Sequence, residues 1–342
     1  MYFATIDCGT TNSRVYIVDE NSTIKGEACK KIGVKDTAIN GNNKALKEGL
    51  AETFYKALEN AHVGLIDIKF AISSGMITSE IGLLEIPHIW APAKIDELAK
   101  NLKKVHDKSI FPVDIPIYFV RGIKNKYDPR TTTNNIVGKL DFMRGEETQI
   151  AGLLTLQGIK LPITAVVLSS HTKFIPVDEL HNVLGSITTI SGQVYEAIIK
   201  ETFVGKSIRK NSDYDDKDYF NLDIIDNAYY WIKKSGFLRS LLMPRFMDTL
   251  LKTTWYERKL FVESLIASED LNAMSQFKDF NFPSDEAFVL IGLERRCLIY
   301  EYLLRKKMNV KKNILKIIKK QDIDHLSIDG SLYLARLAGL IE

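Results

Sequence analysis

A carboxylate, a glycine and two threonines stand together near the start of the chain, in Asp7-Cys8-Gly9-Thr10-Thr11-Asn12. A tight turn of this composition can aim backbone N–H groups and hydroxyls at phosphate oxygens, and Gly9 allows close backbone approach. An aspartate at a strand end can hold Mg²⁺, usually through water, because Mg²⁺ keeps most of its hydration shell. The same residues also suit an ordinary hairpin turn. A second cluster is Asp141-Phe142-Met143-Arg144-Gly145-Glu146-Glu147-Thr148-Gln149. Asp141, Glu146 and Glu147 are candidate general bases, and Arg144 can hold an anion. A helix start with acids in its first turn would look the same. A third cluster, Ser169-Ser170-His171-Thr172-Lys173, offers hydroxyls and a lysine to a phosphate. Neighbours on an extended chain point to opposite faces, which argues against Ser170 and His171 as nucleophile and base. No G-x-S-x-G elbow is present. Finally, Ser73-Ser74-Gly75-Met76 reads as a glycine turn opening a short helix. Its N–H groups suit a carboxylate, or it is a strand-to-helix turn with no ligand.

These residues need strands and helices to hold them. Tyr2 to Asp7, Ser13 to Val18 and Thr23 to Ala28 read as three strands joined by turns. Leu46, Leu50, Phe54 and Leu58 recur at i+4 and predict a helix, with Asn42 or Asn43 at its cap. Ile66 to Ser73 is a buried strand, Ile95 to Val105 looks helical, and Ile115 to Val120 is another strand. Gly145 to Leu156 is helical. Ile163 to Leu168 and Lys173 to Val177 flank the third cluster and repeat the opening pattern of strand, small hydroxyl turn and strand. Beyond Ser191 the chain is mostly helical, apart from a short strand at Phe288 to Gly292 with a helix after it.

Composition bounds the partners. The chain has 342 residues, enough for two domains, and its 46 Lys and Arg stand against 43 Asp and Glu, or +3. That balance excludes a generally polybasic nucleic-acid binder and an acidic tail protein. No apolar run reaches 18 residues and the N-terminus lacks a basic signal region, so a cytoplasmic protein is expected. Cys8, Cys29 and Cys297 have no metal-ligand spacing and predict neither disulfide nor nucleophile. The run from Arg305 to Lys320 holds eight Lys or Arg. A membrane surface or RNA could use it, but the reading preferred for a lysine-rich chain is a solvated helix face.

The motifs occur in the order of a known family. The chain resembles the 2-dehydro-3-deoxygalactonokinases, sugar-acid kinases of the actin/hexokinase/Hsp70-like superfamily. The resemblance rests on IDCGTTNSR from Ile6, GMITSEIGLLE from Gly75, DFMRGEETQ from Asp141, HTKF from His171 and TISGQ from Thr189. It implies an α/β fold of two ribonuclease H-like (actin-like ATPase) domains, with mixed five-stranded sheets flanking a central cleft. The expected boundaries are 1–157 and 158–342, with a helical elaboration of the second domain and a last helix that packs back on the first.

The resemblance also implies ATP-dependent, Mg²⁺-assisted phosphorylation of the 6-hydroxyl of 2-dehydro-3-deoxy-D-galactonate in galactonate breakdown. Asp7 would match the Mg²⁺-associated aspartate, and Gly9, Thr10, Thr11 and Asn12 the first phosphate turn. Ser169, Ser170, Thr172 and Lys173 would match the second phosphate turn, and Gly292 the glycine against adenosine. In glycerol-type kinases a G-D-Q-Q-A run supplies the base ahead of the second phosphate turn. Gly145 to Gln149 occupies that place, with Glu146 standing 23 residues before Ser169. Glu146 is therefore the expected base and Asp141 the second choice. An anionic substrate needs cations or N–H groups, for which Arg144, Gly75 and Met76 are the candidates. The implied partners are ATP and a sugar acid, with no nucleic acid and no membrane; a homodimer stays open.

Two departures from the family pattern lie on the nucleotide side. Ser169 stands where the family carries glycine, and its Cβ limits backbone approach and positive φ. Leu293-Glu294-Arg295-Arg296 after Gly292 is bulkier and more charged than usual. They bear on nucleotide affinity more than on substrate identity and motivate one alternative, a non-catalytic sugar-acid or nucleotide sensor; a superfamily kinase for another sugar or sugar acid is the other alternative.

Overall fold

A computed structural model describes residues 1–131, 133–284 and 286–341. The chain forms two compact units. The first comprises residues 1–161, 177–186 and 321–342; the second comprises 162–176 and 187–320.

In the first unit β1 (Tyr2–Cys8), β2 (Ser13–Asp19) and β3 (Ile24–Lys30) form an antiparallel meander. Two helices follow, α1 (Val34–Asn40) and α2 (Lys44–Ala61). β4 (Ile68–Gly75) lies parallel to β1, and β5 (Lys103–Val105) and β6 (Ile117–Phe119) complete a sheet ordered β3–β2–β1–β4–β6–β5. The sheet has six strands where five were expected. The extra one is β5, cut from the segment expected to be helical between Ile95 and Val105. That helix ends at Lys100, where the Asn101 amide and side chain both donate to the Glu97 carbonyl. The lysines of β5 then face solvent on the sheet edge, where charge discourages further pairing.

The helix expected around Leu46 forms as α2, and its i+4 stripe of Leu46, Leu50, Phe54 and Leu58 is buried in the core with Ile6, Ile17 and Phe119. Full burial of such side chains stabilises by roughly 1.5–3 kcal/mol each. Asn43 is the N-cap residue, but its side chain donates to the Gly82 carbonyl, and it is Asn42 Oδ1 that accepts from the Lys44 amide. Helix α3 (Glu146–Leu153) crosses the last helix of the chain, Lys320–Leu337, at paired glycines. A Cβ on Gly152 would meet the Leu326 carbonyl oxygen at 1.9 Å, and one on Gly330 the Thr148 carbonyl oxygen at 1.8 Å. Only glycine permits that approach.

In the second unit β7 (Ile163–Leu168) and β8 (Thr172–Val177) are neighbours, and β9 (Ile187–Thr189) pairs antiparallel with β8. Helix α4 (Ser191–Glu201) follows. After several helices, including α5 (Trp255–Asp270), come β10 (Ala287–Gly292), α6 (Glu294–Lys306) and β11 (Ile314–Ile317). β7, β10 and β11 are parallel neighbours. The basic run is therefore no single helix face. Arg305 and Lys306 end α6, and buried Ile314 and Ile317 anchor β11 in the sheet. Arg305 donates to the carbonyls of Val310 and Lys312, and Lys316 pairs with Glu301. No described helix is long and apolar enough to cross a membrane.

Candidate active site

In the first unit the β1–β2 hairpin closes with the Gly9 amide on the Asn12 carbonyl, 2.9 Å. The carbonyls of Gly9 and Thr10 accept from the amides of Val34 (3.2 Å) and Lys35 (2.9 Å) at the start of α1. The turn's negative ends are thus taken by protein. Thr10 and Thr11 are exposed, and among the described residues nothing accepts from their amides. This polarity suits an anion.

Asp7, at the end of β1, has its Oδ2 3.4 Å from Arg14 Nη1 and keeps 39% of its side-chain surface accessible. Its carboxyl still lies deep enough for desolvation to raise it above the usual carboxylate range; Arg14 opposes the rise and Asp324 adds to it. Asp324 comes from the last helix, and nothing in its local sequence marks it as a neighbour of Asp7. The Cys8 thiol is pushed up to about 12, chiefly by burial, and is no nucleophile at neutral pH.

Two glycines with positive φ bring the other motifs to this point. Gly75 (φ 91°) ends β4 and Gly145 (φ 109°) precedes α3. A Cβ on Gly75 would lie 2.7 Å from the Cys8 carbonyl oxygen and 3.4 Å from Asp7 Oδ1; one on Gly145 would lie 3.3 Å from Gly75 Cα. A hydrogen bond of 3.2 Å from Thr148 Oγ1 to Ser74 Oγ fastens α3 to β4. The structure thus gathers Asp7, Gly75 and the Gly145-Glu146 helix start.

The candidate acids differ in environment. Glu147 is fully buried and both its oxygens accept from the Gly145 amide at 2.8 Å. Burial first, and the neighbouring Glu146 charge second, push its carboxyl up to about 8. Burial thus biases Glu147 towards its protonated form, whereas Glu146, at the first position of α3, is half-buried. Asp141 accepts from Ser186 Oγ (2.9 Å), and Ser186 is also locked to Asn125. Arg144 donates to Thr78 Oγ1 (2.5 Å) and the Ile86 carbonyl (2.9 Å), with His88 Nδ1 at 3.3 Å. It binds the Met76–Thr78 turn to the segment after it; Met76 is half-buried beside Gly75. The Thr78 and His88 contacts were not foreseen, although Thr78 lies in the motif that begins at Gly75.

In the second unit the Ser169–His171 turn joins β7 to β8. The Ser169 amide and Oγ both donate to the His171 carbonyl, at 3.3 and 3.0 Å. Ser169 has no positive φ, so the turn accommodates its Cβ without left-handed strain. Ser169 and Ser170 are exposed, whereas Thr172 and Lys173 are buried. Thr172 Oγ1 lies 2.7 Å from Ser191 Oγ, and Lys173 donates to Thr188 Oγ1 at 2.8 Å. Ser170 Oγ and His171 Nδ1 stand 3.3 Å apart, closer than opposite strand faces would allow, because both sit in the turn. Among the described residues no acid binds the other ring nitrogen, which a nucleophile–base pair would need.

A cavity of about 500 Å³ opens beside this turn. Ser169, Ser170, Gly192, Leu293, Arg296 and Tyr300 are among the residues that line it. Gly292 itself is not; a Cβ there would meet Leu168 Cβ and the Leu168 carbonyl oxygen, both at 2.8 Å. Its lack of a side chain serves close strand packing and passes the lining role to Leu293. On the cavity wall Arg295 pairs with Asp216 (2.7 Å) and Glu263 (2.9 Å), and Lys259 with Asp216 (2.8 Å). These charges are scattered through the sequence and carried no motif.

The chain is similar to known proteins over most of its length. The model of the 2-keto-3-deoxy-galactonokinase family matches residues 7–319. A Rhizobium meliloti protein named "Probable 2-dehydro-3-deoxygalactonokinase DgoK1" is 25% identical over 207 residues, 60% of this chain and 59% of the relative. The match thus spans little more than half of that relative's length. A solved Sinorhizobium meliloti protein, a candidate 2-dehydro-3-deoxygalactonokinase, superposes with a TM-score of 0.70 over 98% of both chains at 21% identity. Component A of (R)-2-hydroxyglutaryl-CoA dehydratase from Acidaminococcus fermentans superposes at 0.50 over 99% of both chains, at 12% identity. These two structures establish the fold, α/β units of the actin-like ATPase class. The chain belongs to the 2-keto-3-deoxy-galactonokinase family.

Proposed function

We propose that this protein is an ATP-dependent kinase that phosphorylates the 6-hydroxyl of 2-dehydro-3-deoxy-D-galactonate. The observation that carries the reading is the family match over residues 7–319, which includes both candidate phosphate turns and the acids at Gly145. In this reading Glu146 accepts the 6-hydroxyl proton as the oxygen attacks the γ-phosphorus and the bond to the β-phosphate oxygen breaks. Glu147, biased towards its protonated form, braces the Gly145 turn and leaves the basic role to its neighbour. Asp141, spent on Ser186, is a support.

Asp7 fits a Mg²⁺ ion held through water: it is one accessible carboxylate, and among the described residues no cluster of three or more His, Cys, Asp or Glu could cage a metal. When bound, the ion would neutralise phosphate charge. Thr10 and Thr11 amides, with Gly9 and Asn12 shaping the turn, hold phosphate oxygens, and the Ser169–Ser170 turn holds others. Thr172 and Lys173 act from below that turn through Ser191 and Thr188. The cavity beside Leu293 takes adenosine. Arg144 and the Gly75–Met76 turn recognise the substrate carboxylate, Arg144 by fixing the turn and by its remaining donors.

A coupled ADP assay over 2-keto-3-deoxy acids, aldonates and neutral sugars tests the proposal. ADP release should require both Mg²⁺ and a 2-keto-3-deoxy acid; preference for a neutral sugar would overturn the substrate assignment.

A further inference from the structure

Arg296, named above only among the bulky and charged residues after Gly292, binds the second turn and the two elements that flank it. Its Nη1 donates to the Ser169 carbonyl (2.7 Å), and its Nη2 to Thr172 Oγ1 (2.8 Å) and Ser191 Oγ (2.7 Å). One planar guanidinium thus joins the first residue of the turn, the first residue of β8 and the first residue of α4. The Gln193 amide adds a bond to the Ser170 carbonyl (2.9 Å) from the α4 side.

We propose that Arg296 is the positioning residue of the second phosphate turn, holding by hydrogen bonds the shape that the turn takes with serine at 169. The inference rests on the kinase reading for the identity of the anion. Carbonyl oxygens that face a phosphate repel it, and here the Ser169 carbonyl is claimed by a cation. Thr172 Oγ1 and Ser191 Oγ cannot both donate to each other, and a guanidinium that donates to both oxygens fixes the pair. Arginine suits this work because its donors lie in a rigid fork; lysine offers a single charged point. Arg296 also lines the cavity, so the charge that orders the turn stands beside the space where a triphosphate would end. The serine at 169 and the arginine at 296 are then one device: the turn keeps a side chain and gains a clamp.

The test compares two ligands on the full chain by calorimetry, a non-hydrolysable ATP analogue with Mg²⁺ and adenosine alone. Arg296→Ala should weaken the ATP analogue by about tenfold or more, as expected for lost charge-assisted bonds, and leave adenosine within roughly twofold. KM for ATP should rise while KM for the sugar acid holds. Guanidinium ion at low concentration should restore affinity for the analogue where sodium chloride of equal ionic strength does not. Arg296→Lys, which keeps the charge without the fork, should fall between the two. Equal loss of adenosine and analogue would reduce Arg296 to a fold contact and overturn the inference, as would unchanged binding of both. The predicted ligand split in these variants, together with a wild-type chain that phosphorylates no sugar acid, would overturn the kinase reading and leave the inference standing.

Discussion

The two candidate phosphate turns are alike in position and differ in what takes their carbonyls. The first, from Gly9 to Asn12, gives its carbonyls to α1 and keeps the amides of Thr10 and Thr11 without an acceptor among the described residues. The second, from Ser169 to His171, gives its Ser169 carbonyl to Arg296 and its Ser170 carbonyl to the Gln193 amide, and Thr172 and Lys173 just after it are buried and bonded. Backbone amides of α1 hold the carbonyls of the first turn, while a side chain shares that work in the second. Chemistry should be sensitive to changes in the first unit, and nucleotide affinity to changes in the second.

The largest expected effect falls on the acids beside the first turn. Glu146→Gln should lower kcat by at least about 10²-fold, the low end of general-base effects, with KM for ATP little changed. Asp141→Asn, on the support, should keep most of its turnover. Steady-state kinetics of both variants would break the comparison if the order were reversed.

Glu147→Gln is expected to act on stability instead. The folded carboxyl titrates near 8, raised from 4.5. Between those values the folded state keeps a proton that the unfolded chain releases, so stability falls as pH rises through the window. Wild-type Tm should decline from pH 5 to pH 8, and the variant should flatten that slope by a few °C. Identical slopes would show that Glu147 is not held protonated. The smallest effect belongs to Ser169→Gly. Because Ser169 needs no positive φ, KM for ATP should change by less than roughly threefold, the scale of an unstrained surface substitution. A large gain in affinity would mean that the serine obstructs the turn.

Much of this was legible in the sequence because it is local. The i+4 stripe of α2, the Gly9 hairpin and the strands around Ser169 follow from periodicity and turn residues. The contacts that decide the site join distant residues. The charge of Asp324 acts on Asp7, Gly330 admits α3, and Arg296 reaches back to Ser169. Nothing in the spacing of those residues announces a partner more than a hundred positions away. The basic run misled for the same reason: its lysines look contiguous in sequence, but α6, a loop and β11 divide them. The segment from Ile95 to Val105 misled because an asparagine cap and an edge strand both lie within one apolar period.

The most direct test of the central claim is the ³¹P spectrum of a mixture of the protein, Mg²⁺-ATP and 2-dehydro-3-deoxy-D-galactonate. Transfer to the 6-hydroxyl predicts loss of the γ-phosphate signal and growth of a phosphomonoester signal split into a triplet by the two protons on C6. Growth of inorganic phosphate alone, or of a phosphomonoester split by a single proton, would contradict it.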